Sequence, residues 1–308
     1  MANVSVIIPT HNRPALLPHA VASARAAGAN VEIIVVDDAS TDETAEVCKA
    51  LTDIKYVRAE RNQGVAGARN LGILTSSTNY IAFLDDDDLR LPGSLDIQLA
   101  ALKSNPAAGF VCGGMIMADQ DYQPTGEVVH PRHAGGDAFW ELLELAFPIM
   151  PLCVLLRKEC FLRVGLFNRR INGIDDWDIF TRIAEIYPIA VVSTAVGIYR
   201  QPTPASGQGS SARAAQLREL AHHQRQLLKL PRVAAASPRV RGAVRRRTRK
   251  RISENLIWTA AKRHLPQGQL HPAYTNISVA LRLDPLCFVR PEGYRKLARK
   301  LRGETAVQ

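Results

Sequence analysis

The sequence predicts an α/β fold: a mainly parallel central sheet flanked by helices, followed by a basic, mainly helical C-terminal region. Three observations carry this. Short apolar runs rich in sheet-forming residues alternate with segments of helical spacing over residues 4–92. The strand runs are apolar on both faces, the pattern of parallel strands covered by helices. Charge divides the chain: from Arg213 to the end there are 22 Lys+Arg against 5 Asp+Glu, a net of +17, while residues 1–212 carry 17 against 24, a net of −7. Two parts of opposite charge imply two jobs. The division is expected at 1–205 and 206–308.

VSVIIP (4–9) is a β-branched run ended by Pro9, and residues 13–28 carry Leu16, Leu17, Ala20 and Ala24 at helical spacing before Gly28. VEIIVVDD (31–38) is the next strand. Ser40 or Thr41 then caps a helix to about Leu51, with Asp42 and Glu43 in its first turn. IKYVRA (54–59) is a third strand, GVAGARNLGILTSS (64–77) a glycine-started helix and YIAFL (80–84) a fourth strand; Pro92 opens the following helix. A long strand over 108–119, a strand and short helix over 148–167, a turn and helix over 172–188 and a closing strand over 190–200 complete the first part. QPTPASGQGSS (201–211) reads as a linker.

The composition is that of a globular chain, 46% hydrophobic and 22% charged. Five scattered cysteines (Cys48, Cys112, Cys153, Cys160, Cys287) form no C-x-x-C pair, which argues for buried thiols in a reducing compartment. The N-terminus lacks a signal-peptide pattern, and no uncharged apolar run is long enough to span a bilayer. The expected location is cytoplasmic, with peripheral attachment at the inner face of the membrane left open as the alternative.

Ligands of parallel sheets bind beyond the carboxyl ends of the strands. THN (10–12), DDAS (37–40) and DDDD (85–88) each follow a strand directly, so three polar clusters converge on one rim. One or two aspartates at a strand-to-helix turn are ordinary caps. Four in a row repel one another, and a divalent cation relieves that repulsion. Oxygen ligands suit Mg²⁺ or Mn²⁺, which take one or two carboxylates together with substrate phosphates. GVAGARN (64–70) puts small residues at a helix start, where backbone approaches a phosphate and Arg69 adds a charge-assisted contact; the alternative is tight packing by Gly64 and Gly67 with Arg69 solvated. GIDDWDIF (173–180) sets Asp175 and Asp176 at a helix start, as caps or with one carboxylate free as a general base. No P-loop or G-x-G-x-x-G fingerprint is present.

In this order these stretches resemble the inverting family 2 glycosyltransferases of the GT-A fold, over roughly residues 3–200. SVIIPTHNRP is similar to the family's opening strand, IIVVDDASTDET to its nucleotide-binding segment and GVAGARNLGI to its phosphate-side helix. FLDDDDLRLP resembles its D-x-D metal motif and GIDDWDIFTRI its E-D catalytic motif. The resemblance implies that Pro9 and His11 line the base pocket, His11 standing where the family often has Tyr. It implies that Asp38 bonds the base, that Arg69 lies near the nucleotide, and that Asp85, with Asp86, is on the ribose side. Asp87 would coordinate Mn²⁺ or Mg²⁺ and Asp176 would be the base. The family's Glu-Asp pair is Asp175-Asp176 here, and no Q-x-x-R-W follows it, which argues for transfer of one sugar rather than processive synthesis. The implied partners are a nucleotide-sugar donor, commonly a UDP-sugar, and a glycan or lipid-linked acceptor. Rival readings are a sugar-nucleotide or membrane-binding protein without turnover, and, ranked low, an aspartate-dependent phosphotransferase.

Residues 238–265 hold Arg245, Arg246, Arg247, Arg249, Lys250 and Arg251, with Leu256, Ile257, Ala260 and Ala261 as an apolar stripe. Such a helix packs on the catalytic domain or lies on an anionic membrane surface. Nucleic acid is not expected, since no aromatic interleaving accompanies the charge. His130, His133, Trp140 and Trp258 are weaker candidates, and Trp177 is a possible acceptor-stacking ring beside the base.

Overall fold

A computed structural model describes residues 2–147, 149–171, 173–201, 219 and 222–287. The chain forms two compact units, one of residues 1–142 and 146–201, the other of 143–145 and 202–308. The expected boundary and most of the linker lie outside the described residues.

In the first unit β1 (Val4–Thr10), β2 (Val31–Asp37), β3 (Ile54–Arg58) and β4 (Tyr80–Phe83) pair in parallel in the order β3-β2-β1-β4. Val6 faces Ile33 on one side and Ala82 on the other. α1 (Leu17–Ala26), α2 (Thr44–Ala50) and α3 (Gly64–Thr75) make the crossovers. Beyond β4 the sheet turns mixed. β8 (Val154–Arg157) is antiparallel to β4 and to β6 (Phe110–Ala118), β9 (Ile189–Arg200) is parallel to β6, β5 (Leu89–Arg90) is antiparallel to β9, and β7 (Pro124–Val129) is antiparallel to β6. Val6, Ile8, Leu17, Val21, Val35, Leu95, Leu99 and Leu155 lie in one buried core cluster, as strands covered by helices require.

Pro9 sits inside a central strand, where a missing N–H ordinarily breaks the ladder. Ile7 turns its carbonyl toward β4, accepting from Leu84 N at 3.1 Å, and Thr10 turns its own toward β2, accepting from Asp38 N at 2.9 Å. By the two-residue period Pro9 faces the β4 side, past Phe83, where β4 has already left the ladder. The proline therefore costs no bond and marks where the sheet opens at its carboxyl edge.

Some local expectations change. α2 begins at Thr44, and neither Ser40 nor Thr41 caps it; Asp42 Oδ1 accepts from Thr44 N at 3.0 Å instead. Pro92 precedes α4 (Ser94–Ser104) through Gly93, whose φ of 69° needs a residue without a Cβ. In α3 the close helix–strand contact belongs to Gly72, where a Cβ would stand 2.4 Å from Ile7 Cγ2, rather than to Gly64 or Gly67.

Along the chain α4 is followed by α5 (Phe139–Leu143), α6 (Cys160–Val164) and α7 (Asp175–Ile186); in the second unit α8 (Pro231–Ala235) and α9 (Pro238–Thr259) lead through a π-helical turn to α10 (Leu270–Leu283). Ser237 caps α9 by accepting from Val240 N, and Pro238 occupies its first turn. α9 buries Val244, Ile252, Leu256 and Ile257, so the stripe predicted there packs within this unit.

Candidate active site

The loops after β1 and β2 are tied to each other. Asn12, at φ 55°, donates its backbone N–H to Ser40 Oγ (3.0 Å), and its side-chain oxygen accepts from Thr41 N (2.8 Å). Asn tolerates that left-handed conformation; Ala39 at φ 61° does not, and holds about 1–2 kcal/mol of strain. Asp37 clamps the turn: Oδ1 accepts from Ser40 N (2.7 Å), Oδ2 from Tyr56 Oη (2.8 Å) and Arg58 Nη1 (2.7 Å). Burial alone would raise its pKa, but Ser40, Tyr56 and Arg58 outweigh it and hold the carboxyl below the usual range. Asp38 is 4% exposed, with Oδ1 taken by Gln63 N at 2.8 Å, while His11 is exposed on the rim.

The tetrad fans out to separate partners. Asp85 bonds Arg69 Nη2 (2.7 Å); Asp86 Oδ1 and Asp87 Oδ2 share Arg13 Nη1 (2.8 and 2.9 Å); Asp88 Oδ1 accepts from Arg200 N (2.9 Å). Repulsion is thus relieved in part by two arginines of the protein, which the motif reading assigned wholly to a metal. It is not relieved completely. Burial and then Asp87's charge push Asp86 up to about 6 against the pull of Arg13, and burial with Asp85 raises Asp87. Asp88, buried and facing Asp85 and Asp87, is held well above the ordinary range.

Arg69 is neither solvated nor extended outward. It is 4% exposed, lies 5.9 and 5.7 Å from the Phe83 and Phe167 ring centroids, and bonds Asp175 through Nη1 at 2.9 Å as well as Asp85. One guanidinium thereby joins the tetrad after β4 to the first turn of α7 (Asp175–Ile186). Asn70, next along α3, bonds both the N–H and the carbonyl of Phe167 at 2.9 Å and fixes the segment that leads to α7.

Neither acidic residue at the start of α7 caps the helix through the Ncap position, which is Ile174. Asp175 is committed to Arg69. Asp176 keeps an opening to solvent, and its Oδ1 accepts from Trp177 N at 2.7 Å. Burial and the neighbouring Asp175 charge, opposed by Arg69, push Asp176 up to about 7. A carboxyl poised near neutrality beside a second acidic cluster has the properties of a general base. Trp177 is buried and donates Nε1–H to Leu142 O at 2.7 Å, so it is a core ring rather than a stacking platform. His130 lies 3.1 Å from Ser193 O, and His133 accepts from Gly135 N at 3.0 Å.

Against known proteins, residues 5–157 match the sequence model described as Glycosyl transferase family 2. The chain belongs to glycosyltransferase family 2. An uncharacterised glycosyltransferase of Haemophilus influenzae is 27% identical over 185 residues, covering 59% of this chain and 62% of that protein. One from Rickettsia bellii is 43% identical over 193 residues, 59% of this chain and 26% of its own length. The succinoglycan biosynthesis protein ExoU of Rhizobium meliloti is 30% identical over 200 residues, 58% and 56%. The chain therefore spans about a quarter to three fifths of these relatives. Solved structures share the GT-A fold. Mannosyltransferase PcManGT from Pyrobaculum calidifontis, in complex with GDP-Man and Mn²⁺, superposes with a TM-score of 0.58 at 17% identity, covering 97% of this chain and 79% of that one. S. aureus TarS 1–349 in complex with UDP-GlcNAc gives 0.57 at 15%, covering 96% and 92%.

Within this family 2 fold, Pro9, His11, Asp38, Arg69 and Asp85–Asp88 all lie on or beneath the carboxyl edge of β1, β2 and β4, and Arg69 connects that edge to Asp175-Asp176. Among the described residues no three His, Cys, Asp or Glu side chains form a cage for a metal ion. A Mg²⁺ or Mn²⁺ that takes one or two carboxylates and otherwise phosphate oxygens needs no such cage. Unrelieved charge on Asp87 and partial exposure of Asp85, 30% in its side chain, fit that donor set. Arg13 escaped the motif reading because an arginine's partner is set by the fold, its place in the loop after β1 being the available signal; the Asp88 contact is with the backbone N–H of Arg200, which carries no mark of residue type.

Proposed function

We propose that the protein transfers one sugar from a nucleotide-diphosphate sugar, most simply a UDP-sugar, to a hydroxyl of a glycan or lipid-linked acceptor, with inversion at the anomeric carbon. The observation that carries this reading is the Arg69 bridge between Asp85 and Asp175. It brings a half-buried carboxyl, Asp176, with its pKa pushed up to about 7, to the same site as the aspartate tetrad.

In this mechanism Asp176 accepts the proton of the acceptor hydroxyl as that oxygen attacks. Asp175 and Arg69 hold Asp176's helix start in place. Asp38, with one oxygen held by Gln63, positions the base together with Pro9 and His11, and Asp85 and Asp86 serve the ribose side. Asp87 would hold a divalent ion, which when bound would supply charge neutralisation for the leaving diphosphate. Arg13 lies against the same two carboxylates and keeps them oriented.

A thermal-shift screen of UDP-, GDP- and TDP-sugars with Mn²⁺, repeated with EDTA, tests the donor side. A ligand at ~100 times its Kd adds about 2.7 kcal/mol, a readily measured shift. The reading predicts stabilisation by one nucleotide class that disappears on chelation; a shift that survives EDTA removes the metal from the account. Donor binding without turnover on any acceptor favours a binding protein instead.

A further inference from the structure

α10 turns most of its large apolar residues away from its buried row. Its buried row is Ala273, Asn276 and Ala280. Four of its six large apolar residues, Leu270, Tyr274, Ile277 and Leu281, recur at i, i+4, i+7 and i+11, a stripe about 60° wide, with Val279 and Leu283 part-buried off it. Leu270, Tyr274 and Leu281 are 70%, 71% and 40% exposed, and Ile277 is half-buried. Leu265 before the helix and Leu286 after it are 48% and 53% exposed. Single exposed leucines are ordinary, but an aligned row is not.

Charge is the second observation. Arg239, Arg241, Arg245, Arg246 and Arg247 of α9 and Arg282 of α10 are exposed. Arg249 is lowered from its ordinary pKa by burial and then by Arg245 and Arg225, a crowd of like charges. Glu144 is shared by Arg247 (3.1 Å) and Arg251 (3.6 Å). α9 and α10 pack in one unit, Ser253 Oγ donating to Ala280 O at 3.1 Å.

We propose that this helix pair is a docking surface for an anionic lipid bilayer, with the Leu270–Leu281 row entering the headgroup boundary and the arginines meeting anionic headgroups. An apolar stripe on a cationic helical body has the chemistry of an interfacial anchor. No helix among the described residues is long and apolar enough to cross a membrane, so the contact is peripheral. The inference rests on the proposed function only for the lipid-linked acceptor.

The test is flotation of the full chain with vesicles of phosphatidylcholine alone and of phosphatidylcholine with phosphatidylglycerol. Binding is expected to the mixed vesicles and to weaken with salt. Leu270→Ser/Tyr274→Ser/Leu281→Ser, all at exposed positions, is expected to lower binding by about tenfold or more while leaving the nucleotide-sugar thermal shift unchanged. Tyr274→Trp should show a blue-shifted emission on mixed vesicles only. Absence of vesicle binding, a triple variant that binds like the parent, or a self-associated parent that the triple variant renders monomeric in sedimentation equilibrium overturns the proposal. A failed donor shift with vesicle binding intact strikes the transferase reading instead.

Discussion

Arg69 and Arg90 are both buried in the first unit, 4% and 2% exposed, yet they live in opposite electrostatic surroundings. Arg69 faces two carboxylates, and Asp85 and Asp175 overcome the cost of burial and raise its pKa. Arg90 faces no carboxylate among its described partners. It donates to Gln98 Oε1 (2.8 Å) and Val154 O (3.0 Å), Gln98 passes a bond to Cys153 O (2.8 Å), and burial pushes Arg90 down to about 10. Arg90 satisfies carbonyls at the end of β4 and the start of β8, a structural task. Arg69 joins residues 16 and 106 positions away and so assembles the site. A buried cation marks chemistry when it gathers acids from distant motifs, and architecture when it gathers carbonyls.

The sharpest probe is Asp176→Asn. With donor binding intact, kcat is expected to fall by ~10²–10⁴-fold, the range of a general base; near-normal transfer would separate the acid pair that Arg69 organises from the reaction. Next comes the pair of arginines. Arg69→Met strands the buried carboxylate of Asp175 and frees the part-exposed Asp85, and is expected to cost about 3–5 kcal/mol in denaturant unfolding. Arg90→Met leaves carbonyls and an amide short of partners, about 1–3 kcal/mol. The reverse order would break the comparison.

pH gives a smaller effect with a definite sign. Asp176 must be ionised to accept a proton, so kcat/KM should fall as pH drops through about 7, and Asp176→Asn should lack that limb. Stability moves the other way. The raised pKa means that Asp176 binds a proton on folding between the usual carboxylate range and about 7, so its contribution declines as pH rises across that window. Asp176→Asn is therefore expected to melt at higher temperature than the parent at pH 8, a trade of stability for function. Arg13→Gln should cost about 1–2 kcal/mol, less than Arg69→Met, because its side chain is 25% exposed and glutamine keeps an amide donor for the buried Asp86 or Asp87.

How legible was this from the chain alone? The alternation through β4 was plain, because apolar β-branched runs and helical spacing differ in period. The mixed second half was less so: β8 runs antiparallel to β4 and β6, and its short run VLLR carries no mark of direction. Helix starts misled where side chains found other partners, as at Ser40, whose hydroxyl accepts from Asn12 across 28 residues.

The order of strands and helices to β4, the carboxyl-edge position of the aspartates and the division of charge between the two parts are all written in the linear chain. Those follow from local periodicity and from charge counted along the chain. Which acid meets which base is settled in the folded chain. Arg13 on Asp86 and Asp87, Arg69 between Asp85 and Asp175, Arg90 on carbonyls, and a near-neutral Asp176 are outcomes of burial and distance between residues far apart in the chain. Ion pairing and desolvation act through space, and no local pattern of residue types encodes them.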